Sequence, residues 1–263
     1  MLRIILYIGL TLWFAVASYA QEPTEVMRYT YQATFKPFEK KEGVTQTPIV
    51  EELYLDVLEN MSRCMPAGTL AMIEAEINDE EDDISESQFT WLAVIRENKA
   101  LTTLEQLNSL QLFAVQQDYL VEGWEISPEI EDYNGLPVQR ATSKIGGREW
   151  TAWFTKEIPL IDGPYTFKNL PGFVVKVMDS EEDYVFEFLN SAKTTTFWFT
   201  DIPNAEKINE KEFKQIKKAN ANKNMLQVIA EQGSHWANES EDPKVREHMT
   251  KKFGKEPNPI ELE

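Results

Sequence analysis

Very short links join the strand-like segments in the middle of this 263-residue chain. Residues 96–100 (RENKA), the pair Gly146 and Gly147, and residues 179–183 (DSEED) are polar or glycine turns. An antiparallel pair of strands can be joined by a two-residue hairpin, whereas a parallel pair needs a crossover of about a dozen residues or more. The sequence therefore predicts an antiparallel meander.

The segments between these links have the composition of β-strands. Residue types that favour strands predict them at residues 28–37, 52–58, 89–95, 111–119, 136–144, 148–155, 173–178 and 184–189. In the last two segments, apolar side chains recur at every second position. This period predicts one buried face and one solvent-exposed face.

Helical patterns are concentrated in the tail. One short helix is predicted earlier, where Pro66 precedes an apolar stripe that ends at Ile77. In the tail, Asn209 and Glu212 have the spacing of a capping box, and a second apolar stripe begins at Met225. These patterns predict helices that begin near residues 66, 209 and 225.

The last predicted helix has the clearest boundaries. Asp242 is its expected N-cap, Pro243 its first residue and Gly254 its stop. Strands followed by helices are typical of α+β proteins. We predict a mainly antiparallel β meander, a curved sheet or half-barrel, with C-terminal helices. Residues 21–204 would form the β domain, and residues 205–263 a helical segment packed on the same domain.

The first twenty residues predict export. Arg3 precedes a mostly apolar run, and the small residues Ser18 and Ala20 come before Gln21. This is the pattern of a secretory signal peptide over residues 1–20. A membrane anchor is the alternative, but the run is shorter than the roughly 20 apolar residues of a spanning helix. We expect a soluble mature chain without a transmembrane segment, located in the periplasm, at the outer membrane or outside the cell.

Charge and cysteine content narrow the possibilities further. The net charge of −18 would repel nucleic acids and anionic membranes. Residues 78–87 (NDEEDDISES) predict a solvated acidic loop; calcium binding is the alternative, but the loop lacks the glycine of an EF-hand. Cys64 is the only cysteine, so no intramolecular disulfide can form. We expect Cys64 to be buried, with pairing to another chain as the alternative.

Residues typical of catalysis are scarce. The two histidines, His235 and His248, lie thirteen residues apart in polar surroundings, and the sequence contains neither an HExxH nor a GxSxG motif. We therefore expect surface histidines, no catalytic residues, no metal site and no cofactor.

Aromatic residues suggest a second kind of site. Trp150 and Trp153 would lie on opposite faces of a regular strand, so that one fills the core and the other meets solvent or a ligand. Core packing is the simpler interpretation. The alternative is an apolar groove between a curved sheet and the tail helices, formed by Trp150, Trp153 and Phe186.

Residues 157–172 form a proline-rich connection between two strand segments. Pro159, Pro164 and Pro171 lack an N–H donor and cannot lie within a sheet ladder. Tight turns are predicted at residues 162–164 and 170–172, where proline adjoins a glycine able to adopt positive φ. Apolar residues between these turns predict a stiff plug packed on the sheet; a ligand-gating lid is the alternative.

The sequence of residues 148–177 (REWTAWFTKEIPLIDGPYTFKNLPGFVVKV) resembles the signature of the GLPGLI family, whose namesake motif appears here as residues 169–174 (NLPGFV). Asn169 replaces the first glycine of that motif, which suggests a position that accepts a left-handed residue. Val138 stands where family members often have cysteine. The matching motif positions are Trp153, Glu157, Pro159, Gly163, Pro164, Leu170, Pro171 and Gly172.

The resemblance implies an exported protein of a Gram-negative bacterium, from a family that has no established activity and is often encoded near TonB-dependent transporters. It supplies no catalytic residues. We therefore expect a non-enzymatic binding or accessory module at the periplasm or outer membrane, with a TonB-dependent transporter or another envelope protein as partner. The alternatives are a carrier of an apolar ligand such as a lipid and, third, a hydrolase.

Overall fold

The structure, a computed structural model, describes residues 22–38, 40–80, 87–98, 100–108, 111–118, 123–202, 204–231, 243–254 and 258–262. Several sequence predictions fall outside these residues. They are the signal peptide over residues 1–20, residues 81–86 of the acidic loop, His235, Asp242 and the side chain of His248.

Strands dominate the described part of the chain. They are β1 Thr24–Phe35, β2 Ile49–Leu58, β3 Met61–Pro66, β4 Trp91–Glu97, β5 Ala100–Leu107, β6 Gln111–Asp118, β7 Glu125–Tyr133, β8 Leu136–Ile145, β9 Arg148–Thr155, β10 Phe173–Asp179, β11 Tyr184–Thr196 and β12 Glu206–Asn209. The helices are α1 Ala67–Asn78, α2 Glu210–Asn220, α3 Met225–Glu231 and α4 Pro243–Thr250.

All these strands belong to one open sheet, with the order β12-β6-β5-β4-β3-β2-β1-β11-β10-β9-β8-β7. Neighbours pair antiparallel except β12, which lies parallel to β6. The predicted antiparallel sheet is therefore confirmed, and the chain is consistent with an α+β fold in which helices are a small part. The pairing of β1 with β11 joins the two halves of the sheet.

Four strands were absent from the prediction, namely β3, β5, β7 and β12. The sequence of β3 contains Arg63, whose side chain is fully buried. Its guanidinium donates to Asp56 Oδ2 at 3.1 Å and to the Phe197 carbonyl oxygen at 2.8 Å. These bonds compensate the desolvation of a buried charge. In β7, the acidic residues and Pro128 are tolerated because this strand is an edge of the sheet.

The helix signals were only partly correct. The capping box is confirmed, since the Asn209 side chain accepts from the Glu212 N–H and the Glu212 carboxylate accepts from the Asn209 N–H. Helix α4 begins at Pro243 as predicted but ends at Thr250, before Gly254. Beyond the helix, the Gly254 N–H donates to the carbonyl oxygen of Ala221, the residue that follows α2.

Residues 156–172, here called the plug, connect β9 to β10 without forming a helix. The plug contacts both halves of the sheet. The ring centroid of Phe167 lies 4.4 Å from that of Trp150 on β9, and Tyr165 lies 5.2 Å from Trp91 on β4. The sheet must therefore curve around the plug, whose aromatic side chains are part of the main hydrophobic core.

The tight turns of the plug do not have the predicted backbone conformation. Positive φ occurs at Tyr165 (47°) and Asn169 (67°), which confirms that the Asn169 position is left-handed. Gly163 and Gly172 are instead needed for close packing. A Cβ atom at Gly163 would lie 2.2 Å from the Phe167 carbonyl oxygen, and one at Gly172 would lie 2.3 Å from the Thr155 carbonyl oxygen.

None of the helices among the described residues is both long enough and apolar enough to span a membrane.

Replacing Gly172 by alanine should strongly destabilise the fold. The new methyl group would collide with backbone atoms of Thr155, and overpacking of this kind costs about 3 kcal/mol. Gly135→Ala is the control, because Gly135 has a φ of 82° and open space around it, so only conformational strain of about 1 kcal/mol is expected. Urea unfolding measures both variants. Equal losses would contradict the packing role of Gly172.

Candidate functional site

The GLPGLI-like positions do not converge on one site. The buried part of the plug contains Gly163, Pro164, Leu170 and Gly172, whereas Glu157, Pro159 and Pro171 are exposed and Trp153 is half-buried. This distribution indicates that the motif residues shape the plug.

The predicted separation of the two tryptophans is confirmed. Trp150 and Phe186 are buried, and both contact Phe167 of the plug. Trp153 belongs to the opposite face of β9, where its indole N–H donates to Glu131 Oε2 at 3.1 Å and Lys176 Nζ lies 5.8 Å from the ring. Trp150, Trp153 and Phe186 therefore do not line a shared groove, because Phe167 fills the space beside two of them.

A buried ion network fixes the plug to the sheet. The Asp162 carboxylate accepts from Lys168 Nζ at 2.5 Å and from Arg96 Nε of β4 at 2.9 Å. Lys168 Nζ also donates to the Gly163 carbonyl oxygen at 2.9 Å. Burial alone would raise the pKa of Asp162, but the charges of Lys168 and Arg96 outweigh it and lower this pKa below its usual value. The network is chemically satisfied and rigid.

A cavity of about 780 Å³ lies beside the plug, between β4, β5 and β6 on one side and α2 with the C-terminal residues on the other. Pairing of β12 with β6 directs α2 over the sheet, where Phe213 packs 5.5 Å from Phe113. The apolar side chains that line this cavity are Trp91, Leu107, Val115, Tyr165, Phe213, Ala221, Phe253, Pro259, Ile260 and Leu262. A space between sheet and tail therefore exists, with different walls from those predicted.

Polar groups also line the cavity. Helix α2 supplies Lys214, Lys217 and Lys218, and three carboxylates are present, of which Glu210 pairs with Lys214 at 2.6 Å. Two buried donors, Trp91 Nε1 and Asn108 Nδ2, have no hydrogen-bond partner among the described residues. Buried polar groups are nearly always hydrogen-bonded. The walls therefore combine an apolar surface with three lysines and three carboxylates.

Residues 258–262, here called the C-terminal strap, close one side of the cavity. Arg148 holds the strap by donating to the Asn258 side-chain oxygen and the Pro259 carbonyl oxygen, each at 2.6 Å. Tyr165 Oη donates to Glu261 Oε1 at 2.9 Å, and burial raises the pKa of Glu261. These contacts were not predicted.

Cys64 is buried and free. Its Sγ atom accepts a hydrogen bond from the Tyr165 N–H at 3.3 Å, and burial raises the pKa of the thiol to about 11. A high pKa and inaccessibility make a thiol unreactive. The expectation of a buried cysteine is confirmed.

Cys64 should not react with Ellman's reagent at pH 8 in the folded protein. Full reaction is expected in concentrated urea, where the thiol becomes accessible and its pKa returns to about 8.5. The absorbance of the released thiolate measures both states. Rapid reaction of the native protein would contradict the burial of Cys64.

Asp162→Asn should destabilise the protein by about 3–5 kcal/mol, since it leaves the buried Lys168 ammonium without a counter-charge. Lys168→Met should cost less, because Asp162 remains paired with Arg96. The exposed pair of Lys193 and Glu25 provides a control: Lys193→Met should cost under about 1 kcal/mol. Chemical denaturation compares the three, and a larger loss for Lys168→Met than for Asp162→Asn would refute this order.

Within the described residues, no group of three or more histidine, cysteine, aspartate or glutamate side chains could hold a metal ion.

No protein-family model matches the sequence, and no curated protein matches it either. The solved structures that are similar to the chain include two of PNGF-II. The structure in the P21 space group has a TM-score of 0.49 and 15% identity over 77% of this chain and 36% of that one. The structure in the C2 space group has a TM-score of 0.49 and 14% identity over 73% and 32%. The chain thus spans about a third of the length of each PNGF-II chain.

Proposed function

We propose that this protein is an exported, non-enzymatic binding module of the GLPGLI type, and that its cavity holds an apolar ligand such as a lipid. The cavity itself carries this proposal. Its volume of about 780 Å³ falls within the range of roughly 300–1,000 Å³ that is typical of small-molecule sites. Aromatic and aliphatic side chains from sheet, plug, helix and strap form its wall.

The charged residues of the plug support a structural role for the motif. The buried Asp162 carboxylate pairs with both Lys168 and Arg96, and Gly163 and Gly172 allow close backbone contacts. Such a rigid support keeps the adjoining cavity wall, including Tyr165, in one position. Preorganisation of this kind reduces the entropy that binding must overcome.

An accessory role at the outer membrane is the second candidate. The observation that favours it is the edge strand β7, which is largely exposed and presents Ile130 with 73% of its surface accessible. An open edge can pair with a strand of another protein. A TonB-dependent transporter or another envelope protein is the proposed partner, on the basis of the family resemblance. A hydrolase is not proposed, because no observation favours it.

The cavity should bind the neutral apolar dye Nile red with an increase in its fluorescence. Leu107→Trp should weaken this binding about ten-fold or more, since Leu107 lines the cavity and a larger side chain would fill it. Leu112→Trp is the matched control, because Leu112 packs in a different cluster of the core. Thermal unfolding establishes that both variants are folded.

Native mass spectrometry of the protein purified from its producing cells provides an independent measurement. We expect a retained ligand of a few hundred daltons in the wild type and in Leu112→Trp, and its loss in Leu107→Trp. A ligand-free wild-type protein that also fails to bind Nile red would overturn the proposed function.

A further inference from the structure

We infer that Asn134 is a site of spontaneous deamidation, in which the carboxylate of Asp132 acts as the base and the link between β7 and β8 becomes longer. This inference does not depend on the proposed ligand cavity. It concerns the turn that joins the edge strand β7 to the rest of the sheet. Three features of that turn carry it: the sequence, the exposure and the hydrogen bond of the glycine amide.

The sequence of the turn is unique in the chain, because Asn134 is the only asparagine that is followed by glycine. Asn134 and Gly135 form the link between β7, which ends at Tyr133, and β8, which begins at Leu136. Both residues have positive φ, 54° for Asn134 and 82° for Gly135, as in a type I′ hairpin turn. Asparagine and glycine enter and leave this region of φ with less strain than other residues do.

The turn is exposed and makes little packing contact. Asn134 and Gly135 are both exposed, and a Cβ atom added to Gly135 would have no heavy atom within 4 Å. Strand β7 lies at the end of the strand order, so that β8 is its neighbour within the described sheet. Local rearrangement of such a turn costs little free energy. The Asn134 side chain can therefore bring its Cγ atom to the following amide nitrogen.

The amide of Gly135 has a base within reach. Its N–H donates to Asp132 Oδ1 at 3.2 Å, a distance at which a carboxylate can take up a proton. The deprotonated nitrogen attacks Asn134 Cγ, and the new bond between these two atoms closes a succinimide ring. The bond from Cγ to Nδ2 breaks, and the leaving nitrogen takes the proton from Asp132 and departs as ammonia. Because glycine has no side chain, this attack is not hindered.

Water then opens the succinimide at one of its two carbonyl groups. Opening at Cγ leaves aspartate, whereas opening at the main-chain carbonyl leaves isoaspartate, in which the chain runs through the side-chain carbon atoms. Isoaspartate adds one methylene group to the link. The pairing of Tyr133 with Leu136 closes the hairpin, and its register is set by the length of this link. Deamidation therefore loosens β7 from β8.

Peptide mapping by mass spectrometry, on protein kept for several weeks in mildly alkaline buffer, tests the site. The peptide that contains Asn134 should gain about 1 Da as ammonia is replaced by water. Asn60, which lies in the link between β2 and β3 but precedes Met61, should stay unchanged. Asp132→Ala should slow the gain about ten-fold or more. Glu129→Ala is the matched control, since it removes another exposed carboxylate of β7 and should leave the rate unchanged.

Measurements in urea separate the folded turn from the bare sequence. In concentrated urea, the wild type and Asp132→Ala should react at similar rates, because the hydrogen bond that positions the carboxylate is lost. If the wild type reacts in urea but not in the folded state, the fold protects Asn134 and the inference is overturned. Equal rates for the two folded proteins would overturn the role of Asp132.

Hydrogen exchange measures the effect on the edge strand. Amide protons of residues 125–133 should exchange about ten-fold faster in the deamidated protein than in fresh protein, as expected for a loosened strand. Asn134→Asp adds the negative charge without lengthening the backbone, and should exchange as fresh wild type does. If Asn134→Asp exchanges as fast as the deamidated protein, the added charge is responsible and the lengthening of the link is overturned.

Discussion

The rest of the structure depends on the ion pairs formed by the buried carboxylate of Asp162. It brings a charge from the plug into the interior, where two cations must meet it: Lys168 from the plug itself and Arg96 from β4. A charge without partners in such a place is far more costly than an apolar residue. The plug can therefore occupy only the position that satisfies this carboxylate, and that position brings Tyr165 against Trp91 at the cavity wall.

Two further ion networks stabilise the centre of the sheet and the region around β9 in the same way. Asp56 accepts from Arg28 of β1 and from Arg63 of β3, and so joins three adjacent strands. Arg148 at the start of β9 pairs with Asp179 and Asp183 and also holds the C-terminal strap. The chain cannot form an intramolecular disulfide. These directional ion pairs therefore specify one arrangement of the strands more strictly than apolar packing alone would.

The sequence allowed the topology of the central hairpins to be predicted because their links are too short for any other connection. Bounds of β9 agree with the prediction, since its bulky residues end at a glycine turn on one side and a proline-rich plug on the other. The strand β3 was missed because Arg63 is a charged residue and interrupts the apolar pattern of a strand. Its burial is tolerated because Asp56 on the neighbouring strand β2 pairs with it. A groove between sheet and tail helices was predicted as an alternative, but its walls were not: they come from β4–β6, the plug, α2 and the strap, which single-sequence patterns do not bring together.

The hydrogen bonds that Arg148 donates to the C-terminal strap affect the rate of folding. The strap arrives more than a hundred positions after the arginine that anchors it, and β1 must likewise wait for β11. Closing loops of this length costs conformational entropy before the stabilising contacts have formed, and this cost slows folding. A chain with this topology would complete its interior only after residues 258–262 had been synthesised, so its core stays incomplete until the last anchor of the sheet is available.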